Sequence, residues 1–503
     1  MKTLLCATLD ANEAKRVEVE SSLVRALPSF SIVGLASSSI QEAKERVKAA
    51  LVYIGFRFPP QKLTINLSPS DLKKQGSHFD LPIALAVALQ KEKTKTDGFY
   101  TFGELGLDGK VKDTLSIFPL VLSLARKEKN IRVVAPKESR DKLSKIPGIE
   151  LYCIDTLKDA ISFFKERNLR SEPAGKIEAE SIKIDEVLYY YQKSFEYDFI
   201  DVKGQEVAKR AALVSAAGFH NILFEGSPGC GKSMISKRLR YILPPLSLEE
   251  ILEIAKLEAM DTKEPGFRPL RPFRSPHHTS TRASIFGGGT LSARIGEVAL
   301  SNRGILFFDE LPHFPKSVLE ALREPLEDNR ILISRVNTKT EYETKFLFAA
   351  AQNPCPCGNL MSSSKECRCS ELEIQRYKNR LSEPFLDRLD IYVRMNETSQ
   401  DDKSTVSSKE MFEKVLEAFV MQKRRGQRDF NGKLNEKEIE EYCMLDEEAQ
   451  EILQKAVSKF SLSFRSINKI KRVSRTIADL NGKEKIGKSD LFEALSYRKR
   501  AEI

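Results

Sequence analysis

The chain has 503 residues, enough for about three domains with a hydrophobic core each. Its hydrophobic content of 41% and charged content of 30% are typical of a soluble globular protein, and because it has neither a bilayer-length apolar stretch nor a signal-peptide pattern, we expect a cytoplasmic protein without membrane contact. The net charge of +10 gives mild support to polyanionic partners, although a lysine-rich surface explains much of it equally well.

Residues 1–168 alternate strand-like and helical patterns and predict one α/β domain. Apolar residues recur at helical spacing in residues 41–51, alternate as in a strand in residues 62–67, and run without interruption in residues 83–89 as in a buried helix. The polar residues 169–185 that follow include proline and glycine. We interpret them as a linker.

A glycine-rich turn between an apolar run and a helical stretch marks the next predicted domain, residues 186–397. The turn matches the pattern of a phosphate-binding loop, and its residues are Gly226, Ser227, Pro228, Gly229, Cys230, Gly231, Lys232 and Ser233. The glycines let backbone N–H groups face phosphate oxygens, the lysine supplies charge at the terminal phosphates, and the serine hydroxyl suits Mg²⁺. A tight strand-to-helix turn that binds nothing is the alternative.

A basic segment and a glycine run follow the phosphate loop. The segment is residues 271–279, which contain two adjacent histidines, and the run is residues 287–289. Neighbouring side chains in an extended chain point apart, so a structural or substrate-contacting role suits the histidines better than a metal site. We expect the glycine-rich insertion to be a moving loop.

Two further apolar runs end in polar side chains that complete a nucleotide site. Residues 304–308 predict a strand buried on both faces, followed by Asp309 and Glu310. We expect Asp309 to hold Mg²⁺ and Glu310 to polarise the attacking water. The run 345–351 precedes Asn353, whose amide can hold that water or the terminal phosphate, although on its own it would be read as a turn residue. Together the three strand ends favour ATP hydrolysis.

Four of the eight cysteines lie close together in the sequence, at Cys355, Cys357, Cys367 and Cys369. In a reducing compartment, two such pairs predict four thiolates around one zinc ion, although one residue separates each pair rather than the more common two. A loop with unligated thiols is the alternative.

The last part of the chain predicts arginine contributions and a helical lid. A turn in residues 375–390 can present a guanidinium group to the terminal phosphate of a neighbouring subunit, and Arg388 is the first candidate and Arg380 the second. A surface salt bridge would explain either arginine on its own. Residues 398–503 contain five helical patterns, and Arg465, at the start of the fourth, could reach the phosphates of its own subunit's nucleotide.

These motifs together resemble the magnesium-chelatase-like AAA+ ATPases of the competence protein ComM (YifB) type. The resemblance spans nearly the whole chain and rests on residues 226–233, 271–278, 304–310, 322–328 and 475–480. It implies a homo-oligomeric ring, a hexamer, that uses ATP and Mg²⁺ as a helicase or translocase on branched or single-stranded DNA. The implied process is branch migration in recombination, natural transformation or repair.

The resemblance also implies an AAA+ P-loop core with a helical lid and gives roles to particular residues. Asp309 and Glu310 correspond to the Walker B pair, Asn353 to sensor 1, Arg388 to the arginine finger and Arg465 to sensor 2. Paired cysteines also occur in that family, which supports zinc.

The N-terminal domain is similar to the proteolytic domain of Lon protease, which has a ribosomal S5 domain 2-like fold. In that family a serine nucleophile stands two residues after a glycine that corresponds to Gly76. Here His78 has that place and Ser77 comes one residue early. Because nucleophilic catalysis needs the hydroxyl at one point beside its lysine base, we expect a scaffold or DNA-clamp role and no peptide cleavage.

Two other functions stay open. One is a magnesium-chelatase-type ATPase subunit, and the other is an ATP-dependent remodelling chaperone that does not act on DNA. Residues 1–168 count against the first, because we do not expect that subunit to carry such a domain. An intact Walker B pair counts against a clamp without ATPase activity.

Overall fold

The computed structural model describes residues 3–92, 94, 96, 98–261, 263–288, 294–334, 339–399 and 401–498. The chain divides into two compact units. The first contains Met1–Glu178, Ala255–Phe267 and Val336–Thr340, and the second contains Ala179–Ile254, Arg268–Arg335 and Glu341–Ile503. Both units combine helices with sheets, so the predicted α/β class is confirmed. The domain boundaries predicted at residues 168, 185 and 397 stay a prediction.

The first unit is built on a seven-stranded mixed sheet. The strands up to residue 178 are β1 (Thr3–Asp10), β2 (Glu13–Val24), β3 (Ser29–Val33), β4 (Lys62–Ser68), β5 (Phe99–Thr101), β6 (Glu104–Leu105), β7 (Val111–Lys112), β8 (Ile131–Pro136) and β9 (Ile149–Ile154). The sheet order is β3-β4-β2-β1-β5-β8-β9, in which β2 pairs antiparallel with both of its neighbours and the other pairs are parallel. Strands β6 and β7 form a separate pair.

The helices of this part of the chain are α1 (Ser38–Tyr53), α2 (Asp80–Ala88), α3 (Ile117–Lys127), α4 (Arg140–Ser144) and α5 (Leu157–Glu166). Helix α2 is the predicted buried helix, and its residues 80–87 are buried on every side. An apolar run of this kind has no polar face to offer to water, so the helix becomes the centre of the unit's core.

The second unit has at its centre a five-stranded parallel sheet. The strands after residue 178 are β10 (Glu180–Ile184), β11 (Val187–Tyr191), β12 (Ile222–Gly226), β13 (Leu246–Ser247), β14 (Phe273–Arg274), β15 (Gly287–Gly288), β16 (Arg294–Ile295), β17 (Ile305–Phe308), β18 (Arg330–Ser334), β19 (Lys339–Glu343), β20 (Leu347–Gln352) and β21 (Ile391–Met395). The central order is β14-β17-β20-β12-β21. Every residue of β12, β17 and β20 is buried, and for β17 the apolar run 304–308 predicted this.

The helices after residue 178 are α6 (Glu206–Gly218), α7 (Lys232–Leu239), α8 (Leu248–Met260), α9 (Arg282–Phe286), α10 (Glu297–Leu300), α11 (Lys316–Ala321), α12 (Arg323–Asp328), α13 (Glu371–Lys378), α14 (Glu383–Leu386), α15 (Ser408–Arg424), α16 (Glu436–Tyr442), α17 (Glu447–Phe460), α18 (Phe464–Leu480) and α19 (Lys488–Ser496). The last five agree with the five helical patterns in residues 398–503. Most buried hydrophobic residues of α15, α17, α18 and α19 share one hydrophobic core with the central sheet, whereas Ile439 of α16 lies in a separate cluster. In the part of the chain that the structure describes, the apolar helices all fall short of the length needed to cross a membrane.

Two segments differ from their predictions. Residues 180–184 of the predicted linker form β10, which pairs antiparallel with β11 because Ile182 and Ile184 alternate toward the hydrophobic core. In the predicted glycine-rich loop, Gly287 and Gly288 form β15, whereas Gly289 lies outside the described residues.

Candidate active site

The phosphate loop connects β12 to α7. Gly229 and Gly231 have φ angles of +83° and +95°, which favour glycine, and a Cβ on Gly226 would lie 2.8 Å from the carbonyl oxygen of Met395. Helix α7 begins at Lys232, so its first N–H groups and its positive dipole end face the loop. The predicted turn is therefore a cradle that suits an anion.

Lys232 lies at the centre of this cradle. Its Nζ donates to the carbonyl oxygens of Gly226 at 2.6 Å and Ser227 at 2.9 Å, and to Asn353 Oδ1 at 3.2 Å. Burial lowers the pKa of the Lys232 ammonium group. The contact with Asn353 joins the phosphate loop to the end of β20, the neighbour of β12 in the sheet.

Ser233 and Asp309 form the second link of the site. Ser233 Oγ donates to Asp309 Oδ2 at 2.8 Å. A hydroxyl and a carboxylate are oxygen ligands of the kind that Mg²⁺ prefers, and they stand beside the phosphate cradle. The donor set therefore fits the predicted metal.

Glu310 follows Asp309 and turns in another direction. Its φ of +52° is strained for a residue with a side chain, and its backbone N–H donates to Asp309 Oδ1 at 3.0 Å. The carboxylate is 52% exposed, and its Oε2 lies 3.5 Å from His278 Nδ1. Such a carboxylate is free to contact a water molecule without binding the metal.

Sequence reasoning missed His278 as the partner of Glu310, because only the pair of adjacent histidines was visible. The segment that carries it is fixed at its start by Arg271, whose side chain is 2% exposed. Arg271 Nε and Nη2 donate to the carbonyl oxygens of Pro244 and Pro245, each at 2.8 Å. The segment is thus anchored at one end and reaches the site at the other.

Arg388 and Arg465 share one carboxylate, Glu327. Arg388 Nη2 lies 2.5 Å from Glu327 Oε2 and its side chain is 10% exposed, whereas Arg465 binds the other oxygen and is 46% exposed. Arg465 Nη1 also lies 3.7 Å from Asp387 Oδ2. The two predicted nucleotide-contacting arginines therefore lie together.

Lys469 helps to place Arg465 in this group. It lies one turn after Arg465 in α18 and binds Asp387 at 3.1 Å, so the start of the helix lies beside Arg388. The expected contact of Arg465 with the phosphates of its own subunit's nucleotide stays a prediction. Arg380, the second finger candidate, donates instead to the carbonyl oxygen of Pro312 at 3.3 Å.

The four paired cysteines form one cluster. Their Sγ atoms all lie within 4.8 Å of one another, and Cys357 and Cys367 are 3.7 Å apart. A tetrahedral zinc ion with bonds of about 2.3 Å holds its sulfur ligands about 3.8 Å from each other. All four thiols are free of disulfides, so the donor set and its spacing fit zinc.

In the first unit, Ser77 and His78 each form hydrogen bonds with neighbouring groups. Ser77 Oγ donates to the carboxylate of Glu104, and His78 is buried with its Nδ1 3.0 Å from Ser116 Oγ and its Nε2 2.9 Å from the Ala7 carbonyl oxygen. Burial lowers the pKa of His78 to about 4, so the ring is neutral at pH 7. The ring serves as a hydrogen-bonded core residue.

Comparisons with known proteins found similar sequences along most of the chain. Family models described as "Subunit ChlI of Mg-chelatase", "Magnesium chelatase, subunit ChlI" and "Magnesium chelatase, subunit ChlI C-terminal" match residues 19–139, 198–403 and 405–498. Because residues 19–139 match a model of a chelatase subunit, the N-terminal domain no longer counts against a magnesium-chelatase-type function.

Three relatives are similar over nearly their whole length. The chain is 37% identical to Competence protein ComM of Haemophilus influenzae, over 97% of this chain and 95% of that protein. It is 35% identical to Uncharacterized protein YifB of Salmonella typhimurium, with 98% and 96% covered. It is 32% identical to Uncharacterized protein Rv2897c of Mycobacterium tuberculosis, with 96% and 95% covered.

Proposed function

The chain belongs to the magnesium chelatase subunit ChlI family, together with Competence protein ComM and YifB, and on this premise we propose that it is an AAA+ ATPase that moves on DNA. The observation that carries the proposal is the meeting of Lys232, Ser233, Asp309 and Asn353 at three neighbouring strand ends. These are the groups that bind a nucleoside triphosphate and its metal.

Each residue has one task in hydrolysis. The ammonium group of Lys232 binds the terminal phosphates, and the amide of Asn353 donates to the γ-phosphate or the attacking water. Ser233 and Asp309 would hold Mg²⁺, and this ion would neutralise part of the charge on the phosphates. Glu310 accepts a hydrogen bond from the attacking water and orients it in line with the bond to be broken.

The arginines support a ring of subunits. Arg388 and Arg465 both bind Glu327. We propose that Arg388 acts on the nucleotide of a neighbouring subunit and that Arg465 contacts the nucleotide of its own subunit. A guanidinium group stabilises the charge that builds on the γ-phosphate in the transition state. Hydrolysis then depends on assembly, and we propose a hexamer.

DNA is the partner that charge and relatives favour. The net charge of +10 attracts a polyanion, and the exposed Lys365 and Arg368 on the cysteine loop can contact a phosphate backbone. The name of the Haemophilus relative refers to competence, which is consistent with recombination of incoming DNA. We propose branched or single-stranded DNA as the substrate.

Zinc is the second proposed metal. The four-cysteine cluster has the donor type and spacing of a structural zinc site, which closes a loop by tetrahedral coordination. We propose that it is bound in the working protein.

The deciding experiment is an ATPase assay of the purified full-length chain with and without single-stranded, duplex and branched DNA, together with its mass in solution. We expect a ring and a rate that rises with branched or single-stranded DNA. An unchanged rate with all three would favour the alternative, a magnesium-chelatase-type ATPase subunit or a remodelling chaperone. The descriptions of the matching family models support the first of these two.

A further inference from the structure

The loop that carries the cysteine cluster touches the nucleotide site. It leaves the sheet directly after Asn353, and Gly358 lies against the phosphate loop. A Cβ on Gly358 would lie 2.6 Å from the Cδ and Cγ atoms of Pro228 and 3.9 Å from Asn353 Cγ. Its φ of +82° also favours glycine. The backbone of the loop therefore packs closely on Pro228 of the phosphate loop and lies near Asn353.

The cysteines determine where Gly358 lies. The N–H of Gly358 donates to the carbonyl oxygen of Cys355 at 3.0 Å, and its neighbour Cys357 belongs to the cluster. Cys355 is fully buried, whereas the second cysteine pair lies ten or more residues further along the chain. A tetrahedral metal would join these two ends and restrict the conformations of the residues between them.

We propose that metal binding by the four cysteines builds one wall of the nucleotide site, so that zinc occupancy sets the affinity for ATP. This inference rests on the zinc and the ATP site of the proposed function. The metal fixes Gly358, Gly358 supports Pro228 and Asn353, and Asn353 accepts a hydrogen bond from Lys232. Loss of the metal would release this wall and misplace the groups that bind phosphate.

The first test removes one ligand of the second cysteine pair in the full-length protein. Zinc is counted by a chelator-release assay, and the Kd of a fluorescent ATP analogue is measured with Mg²⁺. Cys367→Ser is expected to lose the zinc and to raise the Kd about tenfold or more, because small displacements in a site are costly. Cys153→Ser, which changes a half-buried cysteine outside the cluster, should leave both quantities unchanged.

The second test keeps the metal and disturbs only the contact. Gly358→Ala should retain zinc but raise the Kd to a similar extent, since the new Cβ meets Pro228. Gly426→Ala is the matched control, because its φ is +83° and nothing lies within 4 Å of the added Cβ. This pair tests the contact even if Cys367→Ser does not fold. The Kd of the wild-type protein with and without zinc then tests the role of the metal.

The outcomes separate this inference from the proposed function. Three results would each overturn the inference and leave the ATPase proposal standing. They are a zinc-free Cys367→Ser protein with normal affinity for ATP, a normal Kd in Gly358→Ala, and a wild-type protein that binds ATP without taking up zinc. A zinc-loaded wild-type protein that does not bind ATP would overturn the proposed function, and the inference with it.

Discussion

Ser233 Oγ donates a hydrogen bond of 2.8 Å to Asp309 Oδ2, across 76 residues of sequence. The hydrogen bond between Ser233 and Asp309 thus joins the start of α7 to the end of β17. Lys232 joins the same helix to Asn353, which follows β20. The start of α7 and the ends of β17 and β20 each supply different groups of the site. A substitution in one of these elements is therefore expected to affect a different step of nucleotide binding or hydrolysis.

Lys232→Ala is expected to weaken nucleotide binding by about tenfold to a hundredfold, because charge-assisted hydrogen bonds to phosphate are lost. Titration with a fluorescent ATP analogue measures the Kd. Lys237→Ala on the exposed side of the same helix is the control and should bind normally. Equal affinities of the two variants would contradict the role of Lys232.

Glu310→Gln is expected to bind nucleotide normally and to lower kcat by about a hundredfold or more, since an amide cannot accept the proton of the attacking water. Steady-state ATPase rates and the Kd test this together. Glu324→Gln, an exposed carboxylate on α12, is the control. If Glu310→Gln hydrolyses ATP at the normal rate, another group activates the water.

His278→Ala is expected to lower kcat about tenfold with little change in nucleotide Kd, because Glu310 loses the ring 3.5 Å from its Oε2 that positions it. His278→Gln should recover part of the rate by restoring a hydrogen-bond donor. His277→Ala is the comparison: the Nδ1 of His277 contacts Thr279 Oγ1 at 2.8 Å, but its ring packs on His278 with centroids 4.1 Å apart, so a smaller loss of kcat is expected. A change in Kd alone would assign His278 to binding.

Arg388→Ala is expected to reduce ATP hydrolysis by about a thousandfold in the assembled protein, the size found for arginine fingers. Mixing it with Lys232→Ala subunits should restore part of the rate. The reason is that an intact phosphate loop then meets an intact arginine of its neighbour. The same mixture made with Arg465→Ala tests the second arginine and should stay inactive, because Arg465 is proposed to contact the nucleotide of its own subunit. An Arg388→Ala mixture as inactive as its parts would place Arg388 at its own nucleotide.

Acid is expected to destabilise the unit that contains His220. Burial lowers the pKa of His220 to about 4, against the smaller raising effect of Asp390, while Arg472 and Lys433 lower it further. The folded ring is therefore neutral where the unfolded ring, with an ordinary pKa of about 6.5, already binds a proton. The contribution of the neutral ring to the free energy of unfolding is fully present above about pH 6.5. It falls by about 3 kcal/mol as the pH drops toward 4.

Denaturant unfolding measured between pH 7 and pH 4 tests this effect. His220→Asn should lose less stability over that range than the wild type, although it starts lower because the hydrogen bond with Thr476 Oγ1 at 2.7 Å is changed. His313→Asn, at an exposed histidine, should follow the wild-type curve. Parallel curves for all three proteins would show that His220 does not govern the acid response.

Local pattern was sufficient for much of this protein. The turn at residues 226–233, the strand before Asp309, the cysteine pairs and the lid helices were all predicted, because each depends on spacing within one short segment. The strand β10 was not predicted, because the segment is mostly polar. Its two isoleucines pack against the hydrophobic core only when β10 pairs with its partner strand.

The sequence by itself determined which chemical groups the protein carries and the element on which each one stands. Only the tertiary structure decided which of them meet. His278 reaches Glu310, Arg465 joins Arg388 at Glu327, and Gly358 packs on Pro228. The residues of each pair lie far apart in the sequence. Their contacts depend on the order of strands in the sheet and on where the helices pack, and a local sequence pattern predicts neither of these.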